Sequence, residues 1–583
     1  MPANPLISIQ NLSVEFTTES GFITAVNDIA FWSEKGVTTG IVGESGSGKS
    51  VTALSVMGLL PSPPGKITGG KIFFNDGNHS ENLLGLNEHM MRRIRGNKIG
   101  MIFQEPMTSL NPVFSCGNQI TEVIRQHKNV TRKQAKELCI RLFEEVELPR
   151  PKDVYSAYPH ELSGGQKQRV MIAMAISCEP SLLIADEPTT ALDVSVQKNI
   201  LKLLKDLQHK HGMGILFITH DLGVIADIAE NVIVMYQGRI VEQGSVKQIF
   251  NHPAHPYTKG LIACRPPLNS RPEKLLTVKD FMASEKKARE MLSDINLKKT
   301  EHKRKILHKQ IYATDPLLRT ENLCTYFPLK KSFMHKNREY VRAVDNITIE
   351  VYPGETLGLV GESGCGKTTL GRTMLKLISP TSGNIIFKGK DITRINGSDL
   401  RRLRKQFQII FQDPYSSLNP RITVGNAITE PLEVHGINGG NKKNKYRVAE
   451  LLEQVGLSAE YSGRYPHELS GGQRQRVCIA RALAVNPEFI VCDESVSALD
   501  VSIQAQVLNL LNDLKKDLGL TYVFISHDLS VVKYMSDRMA VMQNGKIIEA
   551  GDPDDIYRNP EKNYTKNLIR AIPGSAKNLY TNG

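Results

Sequence analysis

The feature that most constrains this chain is a loop sequence, G-x-x-x-x-G-K-[ST], that occurs twice in its 583 residues. The copies consist of Gly43, Glu44, Ser45, Gly46, Ser47, Gly48, Lys49 and Ser50, and of Gly361, Glu362, Ser363, Gly364, Cys365, Gly366, Lys367 and Thr368. Each copy follows an apolar run that is typical of a buried strand. Glycines let backbone N–H groups close around phosphate oxygens, and the following helix adds unpaired N–H groups and a positive dipole end. The pattern predicts two phosphate-binding loops, although one match alone would also fit a glycine-rich strand-to-helix turn.

Four further landmarks follow each loop in the same order and indicate an internal repeat. The first set is Gln104, then Ser163, Gly164, Gly165 and Gln166, then Asp186 and Glu187, then His220; the second is Gln412, then Ser470, Gly471, Gly472 and Gln473, then Asp493 and Glu494, then His527. Lys49 and Lys367 are 318 positions apart (367 − 49), whereas Ser163 and Ser470 are 307 apart (470 − 163). The first copy therefore carries about 11 extra residues, which we place in loops at Pro61–Pro64 and Asn75–Asn78. Two homologous domains explain this repeat better than coincidence.

Short apolar strands alternate with helical patterns in both halves, which predicts an α/β fold with a largely parallel sheet in each. Between the glutamine and the Ser-Gly-Gly stretch the pattern becomes helical: Thr131 is a candidate N-cap for a helix that continues to Val146, and Tyr446 to Val455 repeat the pattern. We therefore expect an inserted helical subdomain in each half. The predicted domains are residues 1–265, a charged linker at 266–315, and residues 316–583.

Composition and charge limit the class of protein. The first residues lack the basic and apolar regions of a signal peptide, and no apolar run approaches the roughly 20 residues that span a bilayer. The eight cysteines form no C-x-x-C pair, which is typical of a reducing cytoplasm. The net charge of +13 would suit nucleic acid, but residues 271–310 hold twelve Lys/Arg against six Asp/Glu, so much of the excess lies in the linker. We predict that Phe281–Gln310, a Lys/Glu-rich segment, is a solvated, partly helical tether rather than a binding element.

The spacing of carboxylates and histidines is the same in both halves and suggests phosphate chemistry at the carboxyl ends of strands. Asp186 and Asp493 each end an apolar strand and suit Mg²⁺, and the adjacent glutamates could polarise an attacking water; a helix-entry acidic pair is the alternative. Lys49 and Lys367 are placed for the β- and γ-phosphates, and the Ser50 and Thr368 hydroxyls suit Mg²⁺.

The remaining landmarks have weaker individual signals. Each histidine lies 34 residues after its aspartate, at positions 220 and 527, which favours a γ-phosphate contact over a structural role. Gln104 and Gln412 suit the Mg²⁺ or water shell, or a buried hydrogen-bonded amide. Ser-Gly-Gly at a helix start is a second anion site in each half, which makes sense if the halves face each other and complete one another's pockets.

These landmarks, in this order, resemble the ATP-binding-cassette ATPases, over nearly the whole chain outside the linker. The resemblance implies two P-loop NTPase cassettes that pair head to tail within one chain and bind ATP and Mg²⁺. It implies Mg²⁺ ligands at Ser50, Gln104, Asp186, Thr368, Gln412 and Asp493, catalytic roles for Glu187, His220, Glu494 and His527, and ATP contacts from the two loops, both glutamines and residues 163–166 and 470–473. One site would join Lys49, Asp186 and Glu187 to Ser470 and Gly472, and the other Lys367, Asp493 and Glu494 to Ser163 and Gly165. Ala191-Leu192-Asp193 and Ala498-Leu499-Asp500 look like D-loops, and Phe16 and Phe327 are candidates for stacking on adenine or for the core.

Finer motifs resemble the dipeptide, oligopeptide and nickel importers. They are Phe103–Pro112, Phe411–Pro420 and the H-P-Y-T stretch within Asn251–Thr258, of which the second half keeps only Asn563-Tyr564-Thr565. A pair of turn-forming prolines would also explain the H-P-Y-T stretch. We read that element as eroded in the second half.

The resemblance implies an ATPase that energises uptake of peptides or peptide-like solutes and hydrolyses ATP at both sites. Its partners would be two integral-membrane permease subunits and an extracytoplasmic solute-binding protein, without nucleic acid. The expected location is the cytoplasmic face of the plasma (inner) membrane, as a peripheral protein. A twin-cassette ribosome-associated translation factor and a twin-cassette DNA-repair ATPase are the alternatives; the peptide-importer motifs speak against the first, and the absence of C-x-x-C pairs against the second. The transported substrate stays open.

Overall fold

Two similar halves make up the molecule. The computed structural model describes residues 4–18, 21–77, 80–104, 109–190, 192–286, 288, 290, 297–328, 340–437 and 440–573. The cassette boundaries named above stay predictions.

The strands and helices of the first half and the linker alternate as an α/β fold requires. The strands are β1 (Ile7–Thr18), β2 (Gly21–Ser33), β3 (Thr38–Val42), β4 (Gly65–Asn75), β5 (Ser80–Asn82), β6 (Ile99–Ile102), β7 (Leu182–Asp186), β8 (Gly214–Thr219), β9 (Asn231–Tyr236) and β10 (Arg239–Ser245). The helices are α1 (Lys49–Val56), α2 (Glu88–Ile94), α3 (Cys116–His127), α4 (Arg132–Glu145), α5 (Pro151–Ser156), α6 (Gly164–Ile176), α7 (Val194–His211), α8 (Leu222–Ile228), α9 (Val246–Asn251), α10 (Pro256–Ala263), α11 (Val278–Ala283) and α12 (Leu297–Ile311).

The second half repeats this order. Its strands are β11 (Leu318–Pro328), β12 (Tyr340–Val351), β13 (Thr356–Val360), β14 (Ser382–Phe387), β15 (Lys390–Asp391), β16 (Phe407–Ile410), β17 (Phe489–Asp493), β18 (Thr521–Ile525), β19 (Arg538–Gln543) and β20 (Lys546–Gly551). Its helices are α13 (Lys367–Met374), α14 (Gly397–Leu403), α15 (Pro414–Ser417), α16 (Val424–Val434), α17 (Asn441–Gln454), α18 (Gly471–Leu483), α19 (Val501–Leu518), α20 (Leu529–Met535), α21 (Pro553–Arg558) and α22 (Asn563–Arg570).

A mixed sheet forms the core of each half. The order is β10-β9-β3-β8-β7-β6 in the first half and β16-β17-β18-β13-β19-β20 in the second, and the pairs other than β9–β10 and β19–β20 are parallel. Strands β3, β7 and β8 are buried along their whole length because both faces of the sheet are covered: Ile41, Ile184 and Leu216 belong to one apolar cluster, and Val42, Leu183 and Phe217 belong to another. The predicted α/β fold class is confirmed.

An antiparallel sheet accompanies each core sheet, in the orders β2-β1-β4-β5 and β12-β11-β14-β15. Strand β1 pairs with β2 and with β4, and it buries Ile7, Ile9 and Val14 in the apolar cluster that also contains Ile41 and Ile184 of the core sheet. The sequence did not predict this sheet, because its long strands contain bulges that break the alternation of apolar and polar residues.

The predicted helical insertion is present in both halves. Thr131 caps α4, and its hydroxyl accepts the N–H of Gln134 at 3.3 Å while the Gln134 amide oxygen accepts the Thr131 N–H. Helices α3, α4 and α5 pack together, and α16 packs on α17 in the second half. Pro61–Pro64 lie between α1 and β4, as predicted; Asn78 lies outside the described residues.

The linker is partly helical, as predicted, but part of it packs on the second half instead of being solvated throughout. Arg271 is 6% exposed. The side-chain amide of Asn509 in α19 accepts the Leu275 N–H at 2.9 Å and donates to the Leu275 carbonyl oxygen at 2.8 Å. At the other end, His308 of α12 lies 3.3 Å from Asp537. The aliphatic part of a lysine or arginine side chain can pack against the protein while its charged end pairs with a carboxylate. A Lys/Glu-rich composition therefore does not require solvation. In the described part of the chain, no helix is both long and apolar enough to cross a membrane.

Candidate functional site

The predicted site residues lie at the carboxyl ends of neighbouring parallel strands. The first glycine-rich loop follows β3, Asp186 ends β7 and His220 follows β8 directly. In the second half, the loop follows β13, Asp493 ends β17 and His527 lies two residues beyond β18. Parallel strands end at one edge of the sheet, so each loop, carboxylate pair and histidine meet there as predicted.

Each glycine-rich loop wraps around its own lysine. Gly48 has a φ of 98°, and a side chain there would meet the carbonyl oxygen of Ala25, so only glycine fits between loop and helix. The Lys49 ammonium donates to the carbonyl oxygens of Gly43 and Glu44, both at 2.8 Å. Lys367 makes the equivalent bonds to Gly361 and Glu362, at 2.7 and 3.0 Å. Burial lowers the pKa of Lys49 against the opposing pull of nearby carboxylates.

A hydroxyl–carboxylate pair lies beside each loop. The Ser50 hydroxyl donates to Asp186 at 3.1 Å, and the Thr368 hydroxyl donates to Asp493 at 2.8 Å. Burial raises the pKa of Asp186 to about 6, and the neighbouring Glu187 charge adds to this shift. No cluster of three or more His, Cys, Asp or Glu suited to a metal occurs among the described residues. One carboxylate and one hydroxyl nevertheless fit Mg²⁺, which takes few protein ligands when phosphate oxygens and water supply the others.

The glutamate after each aspartate is paired with the histidine of the same half. His220 Nδ1 lies 3.2 Å from Glu187, and His527 Nδ1 lies 3.3 Å from Glu494. Burial alone would raise the pKa of Glu187, but hydrogen bonds from His220 and Thr190 outweigh it and hold the pKa at about 2. The carboxylate therefore stays ionised at neutral pH and can accept a proton.

Both glutamates adopt a left-handed backbone, with φ of 48° at Glu187 and at Glu494. Such a conformation is costly for residues other than glycine and collects at functional sites. It points the glutamate differently from the preceding aspartate, so the two carboxylates of each pair have different neighbours. Sequence reasoning did not predict this backbone.

The glutamines differ between the halves. Gln412 donates to Glu494 at 2.9 Å, whereas Gln104 is exposed, and the Glu105, Pro106, Met107 and Thr108 that follow it lie outside the described residues. A second difference is Arg372, whose guanidinium lies 3.4 Å from Asp493; Leu54 occupies this position in the first half. Sequence reasoning missed Arg372, although comparing the two loop helices position by position would have found it.

The Ser-Gly-Gly-Gln stretches start α6 and α18 with capping boxes. Ser163 pairs with Gln166 and Ser470 with Gln473, each through two hydrogen bonds. The second glycine of each stretch packs on the helix that follows Asp-Glu: a Cβ on Gly165 would lie 2.9 Å from Val196, and one on Gly472 would collide with Ile503. In the described part of the chain, no hydrogen bond joins these stretches to the opposite glycine-rich loop, so that predicted pairing stays a prediction.

The two halves meet through the aspartates that precede α7 and α19. Asp500 accepts the Ser45 N–H at 3.1 Å and the Ser45 hydroxyl at 3.0 Å, and Ser502 donates to Glu44. In the other direction, Asp193 accepts the Ser363 N–H at 3.3 Å. Ala191, in the same turn as Asp193, lies outside the described residues. Each glycine-rich loop is therefore bound by the opposite half.

A cavity between the halves is lined by both of these turns and both histidines. Its walls include Leu192, His220, Leu499 and His527. The two candidate sites thus share one interface. Phe16 packs half-buried on the core and Phe327 is 41% exposed, so their adenine role stays a prediction.

Tyr257 and Tyr564 are further site residues that sequence reasoning passed over. The Tyr257 hydroxyl accepts the Glu44 N–H at 3.0 Å, and the Tyr564 hydroxyl accepts the Glu362 N–H at 2.9 Å. Both lie in the H-P-Y-T and N-Y-T stretches that the sequence singled out, which was the available signal.

Comparisons with known proteins agree with this geometry. A family model described as ABC transporter matches residues 26–190 and 344–497, more than half of the chain. The chain belongs to the ABC transporter family. A second model, described as the C-terminal region of oligopeptide/dipeptide transporters, matches residues 241–290 and 548–581. The element therefore matches in both cassettes, over a shorter stretch in the second.

Similar proteins share this organisation over nearly the whole chain. The glutathione import ATP-binding protein GsiA of Escherichia coli strain K12 is 48% identical over 580 residues, covering 98% of this chain and 90% of GsiA. GsiA of Shigella flexneri has the same identity and coverage. This ABC protein is therefore an ATP-binding, ATP-hydrolysing subunit for the uptake of peptides or peptide-like solutes. Such a subunit implies a membrane permease as its partner. The predicted enzyme and function are confirmed, and the ribosomal and DNA-repair alternatives are set aside.

Two solved structures are also similar. The ATP-binding cassette MJ0796 bound to ADP and Pi is 26% identical, with a TM-score of 0.37, over 40% of this chain and 98% of that chain. The protein cbiO1 of Clostridium perfringens, part of the ABC transporter complex cbiONQ, is 25% identical, with a TM-score of 0.38, over 46% of this chain and 98% of that chain.

Proposed function

We propose that this ABC protein hydrolyses ATP at two composite sites, each built from the loop of one cassette and the D-loop side of the other. The observation that carries the proposal is the reciprocal pair of contacts, Ser45 with Asp500 and Ser363 with Asp193. Gly165 and Gly472 support it, because each packs on the helix that its own D-loop starts. That packing brings Ser470 and Gly472 towards the first loop and Ser163 and Gly165 towards the second.

In each site, different residues bind the phosphates and hold the metal ion. The loop N–H groups and Lys49 or Lys367 bind the phosphates. Ser50 with Asp186, and Thr368 with Asp493, would hold Mg²⁺, with Gln104 and Gln412 completing the shell. When bound, this ion neutralises charge on the β- and γ-phosphate oxygens. The raised pKa of Asp186 means that burial disfavours its negative charge, and a bound cation would offset this cost.

Glu187 and Glu494 accept the proton of the attacking water, and His220 and His527 hold them in place. The low pKa of Glu187 keeps it in the accepting form across physiological pH. Changing Glu187→Gln and Glu494→Gln together should lower ATP turnover by at least about 100-fold, because general-base catalysis contributes that much or more. Equilibrium binding of a fluorescent ATP analogue should persist, since neither glutamate holds the phosphates.

The two single variants serve as matched controls for the double variant. Each should keep part of the turnover if both sites hydrolyse ATP. Substantial turnover in the double variant would contradict the base assignment, and unchanged turnover in one single variant would contradict hydrolysis at that site.

We further propose that the chain works at the cytoplasmic face of the membrane with two permease subunits and a solute-binding protein. Similarity to GsiA over the whole chain supports glutathione or related short peptides as the substrate class. The test is ATPase activity of the co-purified chain and permeases in lipid, with the binding protein loaded with glutathione or with a dipeptide. Stimulation by a loaded binding protein is expected; an unchanged rate with both ligands would contradict the proposal.

A further inference from the structure

Two tyrosines outside the ABC transporter match hold the first peptide of each loop. Tyr257 lies in the first turn of α10 and Tyr564 in the first turn of α22. Both belong to the regions matched by the oligopeptide/dipeptide transporter model. Each hydroxyl accepts the N–H of the glutamate that opens the loop, at 3.0 Å for Glu44 and 2.9 Å for Glu362. The same contact therefore occurs independently in both cassettes.

The opposite cassette binds the next residue of the same segment. Asp500 accepts the N–H of Ser45, one peptide beyond the N–H that Tyr257 accepts. In the second cassette, Asp193 and Tyr564 accept the adjacent N–H groups of Ser363 and Glu362. The C-terminal element of one cassette and the D-loop of the other cassette thus bind consecutive peptides of the same glycine-rich loop.

The remaining atoms of this segment are also fixed. The carbonyl oxygen of Glu44 accepts the Lys49 ammonium, and a side chain on Gly43 would collide with the carbonyl oxygen of Met235. A tyrosine has only two side-chain torsions, so its hydroxyl is a rigid acceptor. A rigid acceptor reduces the entropy that is lost when a partner binds the neighbouring N–H.

From these contacts we infer that Tyr257 and Tyr564 are positioning residues that hold each loop in the orientation its partner D-loop binds. The inference rests on the proposed function and adds a role for the C-terminal element: it sets the coupling between the two ATP sites. Removing the hydroxyl leaves the loop's first N–H without this acceptor and lets the adjacent peptide turn away from the D-loop aspartate.

The first cassette is held more firmly than the second. Tyr257 is fully buried, and its ring lies 4.2 Å from that of Tyr236, where the second cassette has Gln543. Tyr564 is only half-buried. Loss of the Tyr257 hydroxyl should therefore have the larger effect.

The test uses Tyr257→Phe and Tyr564→Phe in the full chain, because phenylalanine keeps the ring packing. Tyr257→Phe should raise the KM for ATP about fivefold, as expected for one lost hydrogen bond, keep kcat within about twofold, and lower the Hill coefficient for ATP. Tyr564→Phe should change the same quantities in the same direction by less. Unchanged KM and Hill coefficient in both variants would overturn the inference.

Combination with D-loop variants separates positioning from a general structural role. The effects of Tyr257→Phe and Asp500→Asn on the Hill coefficient should be non-additive, because both act on one loop, whereas Tyr257→Phe and Asp193→Asn should be additive. Additivity with Asp500→Asn would overturn the inference. If Tyr257→Phe does not fold, the pair Tyr564→Phe and Asp193→Asn carries the same test.

Tyr236→Phe is the matched control, because it removes a hydroxyl that contacts Gln237 and leaves the loop untouched. It should behave as the unaltered chain, and an effect equal to that of Tyr257→Phe would overturn the inference. An unaltered chain that neither binds nor hydrolyses ATP would instead contradict the proposed function itself.

Discussion

At the scale of single residues, the two cassettes are alike in their acid–base pairs and unlike in the charge beside the aspartate. Burial raises the pKa of Asp493, and the hydrogen bond from Thr368 and the charge of Arg372 oppose this. Arg372 is an intrinsic cation beside a carboxylate for which we propose Mg²⁺, and Leu54 provides none in the first cassette. The two sites should therefore differ in their demand for Mg²⁺.

Exchanging these two residues tests the difference. Arg372→Leu should lower the Mg²⁺ concentration for half-maximal binding of a fluorescent ATP analogue at the second site by about fivefold, since a partly exposed charge pair contributes about 1 kcal/mol. Leu54→Arg should raise it at the first site. Arg372→Leu is combined with Lys49→Ala, which abolishes binding at the first site, and Leu54→Arg is combined with Lys367→Ala, which abolishes binding at the second. If the Mg²⁺ concentration for half-maximal binding changed in neither variant, a role for Arg372 in Mg²⁺ binding would be contradicted.

At the scale of elements, local spacing was enough to predict the strand–loop–helix units, the capped α4 and the parallel core. These depend on contacts between residues close in sequence and on buried apolar runs. The antiparallel sheet was missed because bulges in β1 break its period. The packing of α18 on α19 could not be predicted from local patterns either, because the contacting residues Gly472 and Ile503 are 31 positions apart in the sequence (503 − 472).

The two adjacent glycines of α18 give a prediction with an internal control. Gly472→Ala should lower the free energy of unfolding by about 1–3 kcal/mol, because the new methyl group collides with Ile503. Gly471→Ala should be neutral or slightly stabilising, since its nearest neighbour, Leu499, is at an ordinary 3.7 Å and alanine favours helix. Thermal and denaturant unfolding measure both. Equal effects of the two variants would contradict this packing.

At the scale of the whole molecule, the linker binds the second cassette through a cluster of charges. Asp554 lies 3.2 to 3.4 Å from Arg271 and Arg304 of the linker and Lys533 of α20. In the first cassette, Lys247 and Ala226 stand at the positions of Asp554 and Lys533, 307 residues earlier. The first cassette therefore lacks an anion at the matching position. Burial alone would raise the pKa of Asp554, but these cations outweigh it and lower it.

Asp554→Asn should loosen the linker. It leaves three cations without their shared carboxylate and should cost about 2 kcal/mol, less than a fully buried pair because Asp554 is 18% exposed. Because the folded-state pKa is lowered, the advantage of the unaltered chain is fully present above the ordinary value of 3.8 and is lost as pH falls below it.

Limited proteolysis of the linker and denaturant unfolding at several pH values measure this effect. Asp555→Asn is the control, because Asp555 is exposed beside the cluster. Equal cleavage of the two variants would show that the charge cluster does not hold the linker.

The sequence by itself determined the repeat, the α/β class, the two phosphate-binding loops and the residues around them. This was possible because each landmark is a short pattern whose chemistry is local. Only the tertiary structure decided how the halves complete each other: the loop at Ser45 meets Asp500, 455 positions away, and Tyr257 supports it from 213 positions away. It also decided that the linker docks. Such contacts depend on how whole domains pack, and no local period or spacing encodes that.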